Sequence, residues 1–170
     1  DKKELALNRL YRALEIDPEN EATHLNFAML MGEMGRLEEA ESSMRKVLEI
    51  NPASAQAAYN LSVMLAERKP EESLEMSKKA MELDPSQAKY AYTCAFYLIR
   101  ADQKVEGQTI LEETTSQFPD YADAWLLLGT VFEQKNDSIK AKTIYEKALK
   151  TGSFGEEDQA RIQQKIDSMQ

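Results

Sequence analysis

A chain of 170 residues, 42% apolar and 30% charged, carries enough apolar material for one sizeable folded domain and too much for a disordered one. Thirty acidic against 21 basic residues leave a net charge of −9, which argues against a nucleic-acid binder because phosphate recognition draws on clustered Lys and Arg. No apolar run approaches the roughly 20 residues of a membrane span and DKKELALNRL has no signal-peptide core, so the sequence reads as soluble and not membrane-bound, with cytoplasm and periplasm both open.

Along the chain, Asp17-Pro18, Asn51-Pro52, Asp84-Pro85 and Phe118-Pro119 recur 34, 33 and 34 residues apart. Each proline closes a helical run such as ALEIDP or VLEINP, because it lacks an N–H and pushes the residue before it out of the helical region. A fixed period of this length marks stacked helical hairpins. Ten helices are expected, at about 2–16, 20–34, 37–50, 53–68, 71–83, 86–101, 104–117, 121–135, 138–150 and 156–168.

Residues 1–18 match only the second helix of a hairpin, with Ala6, Leu10 and Ala13 at its packing positions, so the chain is expected to be part of a longer protein in which an upstream helix covers this leading helix, which in isolation is exposed or covered by a second copy of the chain. Complete units follow at 19–52, 53–85, 86–119 and 120–153, the second of them one residue shorter in its turn, ERKPEE. Small residues pair at one register position in all four: Ala28 with Ala40, Ser62 with Ser73, Ala95 with Gly107, Gly129 with Ala141. Bulky residues fill the positions around them, among them Phe27, Met31, Met44, Leu61, Leu65, Leu98, Leu111, Leu128, Phe132 and Tyr145. TGSFG then interrupts the last hairpin, and residues 155–168 form a polar capping helix whose main apolar positions are Ala160, Ile162 and Ile166.

The stretch Asp120 to Leu149 is the clearest copy of the unit, with Trp125, Leu128, Gly129 and Phe132 on a first helix and Ala141, Tyr145 and Ala148 on a second. In this spacing the chain resembles the tetratricopeptide repeat, although the tryptophan becomes His24, Ala58 and Ala91 in the other units. The resemblance implies an all-α fold, a right-handed α-solenoid superhelix of antiparallel helix hairpins, and a non-catalytic scaffold for protein–protein interaction. It also implies that the first helices line a concave groove that takes a peptide or helix of a partner protein. The groove residues would be Leu25, Asn26 and Met29, then Tyr59, Asn60 and Val63, then Lys89, Tyr92, Phe96 and Arg100, and finally Leu126 and Thr130. Tyr59, Tyr92 and Phe96 could equally pack between hairpins. Some members of the family grip a terminal carboxylate with two Asn, two Lys and one Arg. Here Asn60 and Lys89 stand at two of those places, but Leu25, Met29 and Thr93 replace the rest, which removes most of the charge-assisted hydrogen bonds.

Catalytic chemistry finds little material: one histidine, one cysteine, no phosphate loop and no pair of Cys or His at metal-ligand spacing, so no cofactor is expected. His24 reads as a packed structural residue and Cys94 as a small core residue. Carboxylates in RLEEAE and KPEESLE read as solvated surface. Self-association is the alternative function, with a homodimer formed through the exposed N-terminal helix.

Overall fold

A computed structural model describes residues 2–169, which form ten α-helices and no strand. In chain order these are α1 (Lys2–Ile16), α2 (Glu21–Glu33), α3 (Leu37–Ile50), α4 (Ala55–Leu65), α5 (Pro70–Leu83), α6 (Ala88–Arg100), α7 (Lys104–Gln117), α8 (Ala122–Gln134), α9 (Ser138–Thr151) and α10 (Glu156–Asp167). The fold is all-α, built of antiparallel helix pairs, and the chain divides into two compact units, Asp1–Asp84 and Pro85–Gln170.

Helix pairing follows from what stands at the crossing points. Ala28 and Ala40 are fully buried, and the Ser73 hydroxyl donates to the Ser62 carbonyl at 2.7 Å, which only a small side chain on each helix permits. At Gly107 an added Cβ would stand 2.9 Å from the Ala95 carbonyl oxygen, so the backbones themselves are in contact.

The turns explain the unequal period. Between α2 and α3, α6 and α7, and α8 and α9, one residue takes the left-handed conformation: Gly35 (φ 74°), Asp102 (φ 62°) and Asn136 (φ 57°). The next residue's N–H then returns five places, from Arg36 to Met31, Gln103 to Leu98 and Asp137 to Phe132, and closes the helix end. Between α4 and α5 that left-handed residue is absent. Lys69 instead returns four places to the Leu65 carbonyl at 2.7 Å, and Pro70 opens α5 directly. This tighter turn ends α4 at Leu65, three residues before the expected 68.

In the first unit, Leu7, Phe27, Met31 and Ala40 join α1 to the α2–α3 hairpin, and Ala28, Met44, Val47, Ala57, Leu61 and Leu65 join that hairpin to the next. The second unit has one core running from Ala95 and Leu111 through Trp125, Leu128 and Tyr145 to Ile162 and Ile166. Cys94, the one cysteine of the chain, is fully buried in the same unit.

Three details depart from the sequence expectations or refine them. Glu41 of the RLEEAE run is only 8% exposed, not solvated. Lys69, Arg45 and Arg68 reach it at 2.7, 2.8 and 3.1 Å, and these contacts hold its carboxyl down at about 2, with the Lys69 hydrogen bond the largest cause. Ala160 of the capping helix is exposed, because α10 turns only Ile162 and Ile166 inward. His24 takes over the tryptophan's contact. The Trp125 indole donates to the Pro119 carbonyl at 2.9 Å, and His24 Nε2 stands 2.9 Å from the Pro18 carbonyl, again six residues earlier. A carbonyl only accepts, so Nε2 carries the proton and the buried Nδ1 is left without a partner.

Candidate functional site

Each first helix buries one side against its second helix and leaves another side open. In the first unit that open side of α2 and α4 carries Leu25, Asn26, Met29, Tyr59, Asn60 and Val63. None of the six is buried: Asn26, Met29 and Val63 are exposed, whereas Leu25, Tyr59 and Asn60 are half-buried. Leu25 packs its inner half on the core around Ala28 and Leu61. Met29 and Val63 occupy the same register position one repeat apart and are 49% and 48% exposed.

In the second unit the corresponding side of α6 is aromatic. Tyr92 stacks on Phe96 with ring centroids 6.4 Å apart and meets the edge of Tyr121 at 5.8 Å. Burial, and then the charge of Asp123, push the Tyr92 phenol above its usual range. Phe96 stands in the register of Met29 and Val63 and is 36% exposed; the Arg100 guanidinium lies over its ring at 5.9 Å. Lys89, at the other end of α6, lies over Tyr90 at 5.2 Å. Phe96 thus projects outward, while Tyr59 and Tyr92 take a half-buried position between core and surface.

On α8, Thr130 donates its hydroxyl to the Leu126 carbonyl of its own helix at 2.8 Å. Leu126 forms the floor of an open cleft of about 410 Å³ whose other walls are Arg161, Gln164 and Lys165 of α10 and Ser168 just after it. The sequence marks α10 as a polar capping helix and does not place it in the groove. A signal was present, since Gln164 and Ser168 fall 34 residues after Thr130 and Gln134, at the same inner positions. Ion pairs hold the wall in place: Arg161 to Asp123 at 2.8 Å and Lys165 to Glu133 at 3.1 Å.

Among the described residues no group of three or more His, Cys, Asp or Glu could hold a metal ion. Among the same described residues, no helix is long and apolar enough to cross a membrane. What the faces offer is shape, apolar contact and a few amides and cations, the chemistry of recognition.

Family models described as tetratricopeptide repeat match residues 4–62 and 122–151, together just over half of the chain. The chain belongs to the tetratricopeptide repeat family. Among its relatives, the human protein O-mannosyl-transferase TMTC3 is 26% identical over 143 residues, 81% of this chain but 16% of that protein. The chain spans less than a third of the length of the curated relatives it matches. Solved structures share the fold of this tetratricopeptide array. MamA superposes with a TM-score of 0.79 at 22% identity, covering 92% of this chain and 90% of MamA. PilF of Pseudomonas aeruginosa superposes with a TM-score of 0.77 at 17% identity, covering 99% and 81%.

Proposed function

We infer that this tetratricopeptide array is a non-catalytic scaffold that docks a peptide or helix of a partner protein on the open side of its first helices. A general role in protein–protein interaction comes with the family. The finer reading is carried by one observation: Met29, Val63 and Phe96 stand at one register position of successive hairpins, and each leaves a third or more of its surface in water. The residues just before and two places after them, Ala28 and Met31, Ser62 and Leu65, Ala95 and Leu98, are fully buried, so the exposed side chains are not needed to close the fold. Half-buried Asn60 and exposed Asn26 supply amides that can pair with the backbone of a bound segment, while the aromatic and Met side chains supply apolar anchors. Half-buried inner positions such as Tyr59 and Tyr92 are already ordered by their neighbours, so little side-chain entropy is lost on association.

The test is a pull-down from the native source with two triple variants whose folding is checked by circular dichroism. One carries Met29→Ser, Val63→Ser and Phe96→Ser. The other carries Leu37→Ser, Val105→Ser and Ile139→Ser, which remove exposed apolar groups from second helices. Loss of a partner with the first set alone supports docking on the first-helix side. Loss with the second set alone, or retention by both, moves the interaction elsewhere on the molecule.

A further inference from the structure

The second helices of the complete hairpins carry acid at recurring positions, and α9 reverses the sign. Lys140 stands at the register of Glu39, Glu72 and Glu106, and Lys150 at that of Glu49, Glu82 and Ser116. Residues 135–151 hold five lysines against two carboxylates, Asp137 and Glu146, in a chain of net charge −9. Ile139, Lys140, Thr143, Lys147 and Lys150 recur at helical spacing on one side of α9, and all are exposed, Ile139 by 83%. The corresponding α7 residues Val105, Glu106, Thr109, Glu113 and Ser116 are exposed too, with a further hairpin stacked behind them. This side of a second helix therefore stays in water in the interior of the array.

The ammonium groups of this stripe are held in place but poorly neutralised. Lys135 and Lys140 lie over the Phe132 ring at 5.6 Å and Lys147 over the Trp125 ring at 5.7 Å, so aromatic rings of α8 position three of them. Lys140 also meets Asp137 at 3.7 Å. Lys147, Lys150 and the neighbouring Glu146 have no ion pair among the described residues. By contrast Arg36, Arg45, Arg68, Lys69 and Arg161 each stand within 3.1 Å of a carboxylate. Uncompensated positive charge thus gathers on α9.

We propose that this stripe docks a short acidic segment of a partner protein, its carboxylates on Lys140, Lys147 and Lys150 and an apolar side chain on Ile139. Width selects the class of partner. The stripe is one helix wide and about 15 Å long from Lys140 to Lys150, at about 1.5 Å per residue. Beside it α7, which Lys135 reaches at Gln108, brings Glu106, Glu112 and Glu113, and α10, packed on α9, opens with Glu156, Glu157 and Asp158. A nucleic-acid duplex or an anionic membrane presents charge over a wider front and would meet those carboxylates as well. A single strand would need aromatic faces for its bases, and Trp125 and Phe132 are buried. A second copy of the chain is a weaker match, because Glu39 and Glu72 are already paired with Arg36 and Arg45.

Fluorescence anisotropy on the intact chain tests this with a labelled peptide of repeated Glu-Glu-Leu and its Gln-Gln-Leu counterpart. Saturable binding of the acidic peptide alone is expected. It should weaken by more than about tenfold in a chain carrying Lys140→Gln, Lys147→Gln and Lys150→Gln, and by a smaller factor with Ile139→Ser. Two other variants should bind as the parent does: Lys46→Gln with Lys79→Gln, which stand at the register of Lys147 on α3 and α5, and Met29→Ser with Val63→Ser and Phe96→Ser. Circular dichroism should show the α9 variants folded, since every substituted side chain is exposed. Absence of saturable binding, or an equal loss in the Lys46 and Lys79 variant, overturns the proposal. Tighter binding of labelled oligothymidylate or of phosphatidylserine vesicles overturns it in favour of those ligands. So does a mass that doubles from 19.3 kDa with concentration and reverts in the triple lysine variant, which assigns the stripe to a second copy.

Discussion

Tyr145 lies across Gly129 so closely that a Cβ built on the glycine would stand 2.2 Å from two of its ring carbons. The ring cannot step aside, because it is fully buried and its hydroxyl donates to Glu133 at 2.7 Å. Gly129→Ala regains up to about 1 kcal/mol of helix propensity but overpacks the crossing by roughly 1–3 kcal/mol, so a net loss is expected in urea unfolding. Tyr145→Leu should make the second substitution much cheaper, and a double-mutant cycle that shows additivity would contradict the contact.

Acid should weaken the first unit through Glu41. Its carboxyl titrates at about 2 in the folded chain against an ordinary 4.5, so its contribution is complete above pH 4.5 and disappears as pH falls toward 2. Glu41→Gln should cost on the order of 2 kcal/mol at pH 7, after allowance for partly exposed partners. The gap between the two proteins should close by pH 2; a gap independent of pH would rule out the ion network as its source.

His24 makes the hydrogen bond of Trp125 with a smaller ring and an orphaned nitrogen. His24→Trp keeps a donor for the Pro18 carbonyl and puts carbon where Nδ1 is buried, so a gain of about 1 kcal/mol is expected from removing an unsatisfied polar atom. His24→Ala loses the donor and should be less stable than the parent in thermal melts.

Asp102 and Asn136 occupy a left-handed backbone position that Gly35 fills without strain. Asp102→Gly and Asn136→Gly should each leave stability unchanged or raise it by up to about 1 kcal/mol, whereas Gly35→Val should lower it by a similar or larger amount. The corresponding substitution in the α4–α5 turn has no such position to act on.

The cap separates two kinds of attachment. Ile162 is fully buried, so Ile162→Ala should cost about 2–4 kcal/mol and make residues 152–169 sensitive to limited proteolysis. Arg161→Ala breaks half-exposed ion pairs and should cost less than about 1 kcal/mol. The reverse order would mean that charge holds α10.

Hairpin number and register were legible because proline punctuates the chain every 33 or 34 residues and small residues recur where helices cross. The groups that came through most clearly act within one hairpin. Glu41 was misread because the cations that bury it, Arg68 and Lys69, come from the next turn, 27 and 28 residues away. The reach of Lys165 and Arg161 onto α8 was hidden for the same reason, at separations of 32 and 38 residues. Phe96 and Tyr92 both read as aromatic positions on one helix, and only the neighbouring Tyr121, from the loop before α8, decides which of them is half covered.

Cys94, the chain's one thiol, lies wholly inside the second unit. A thiol reagent reaches it only when α6 opens, so the labelling rate is a clock for local unfolding that needs no engineered probe. Ligand held on the Phe96 side of the same helix would slow that clock.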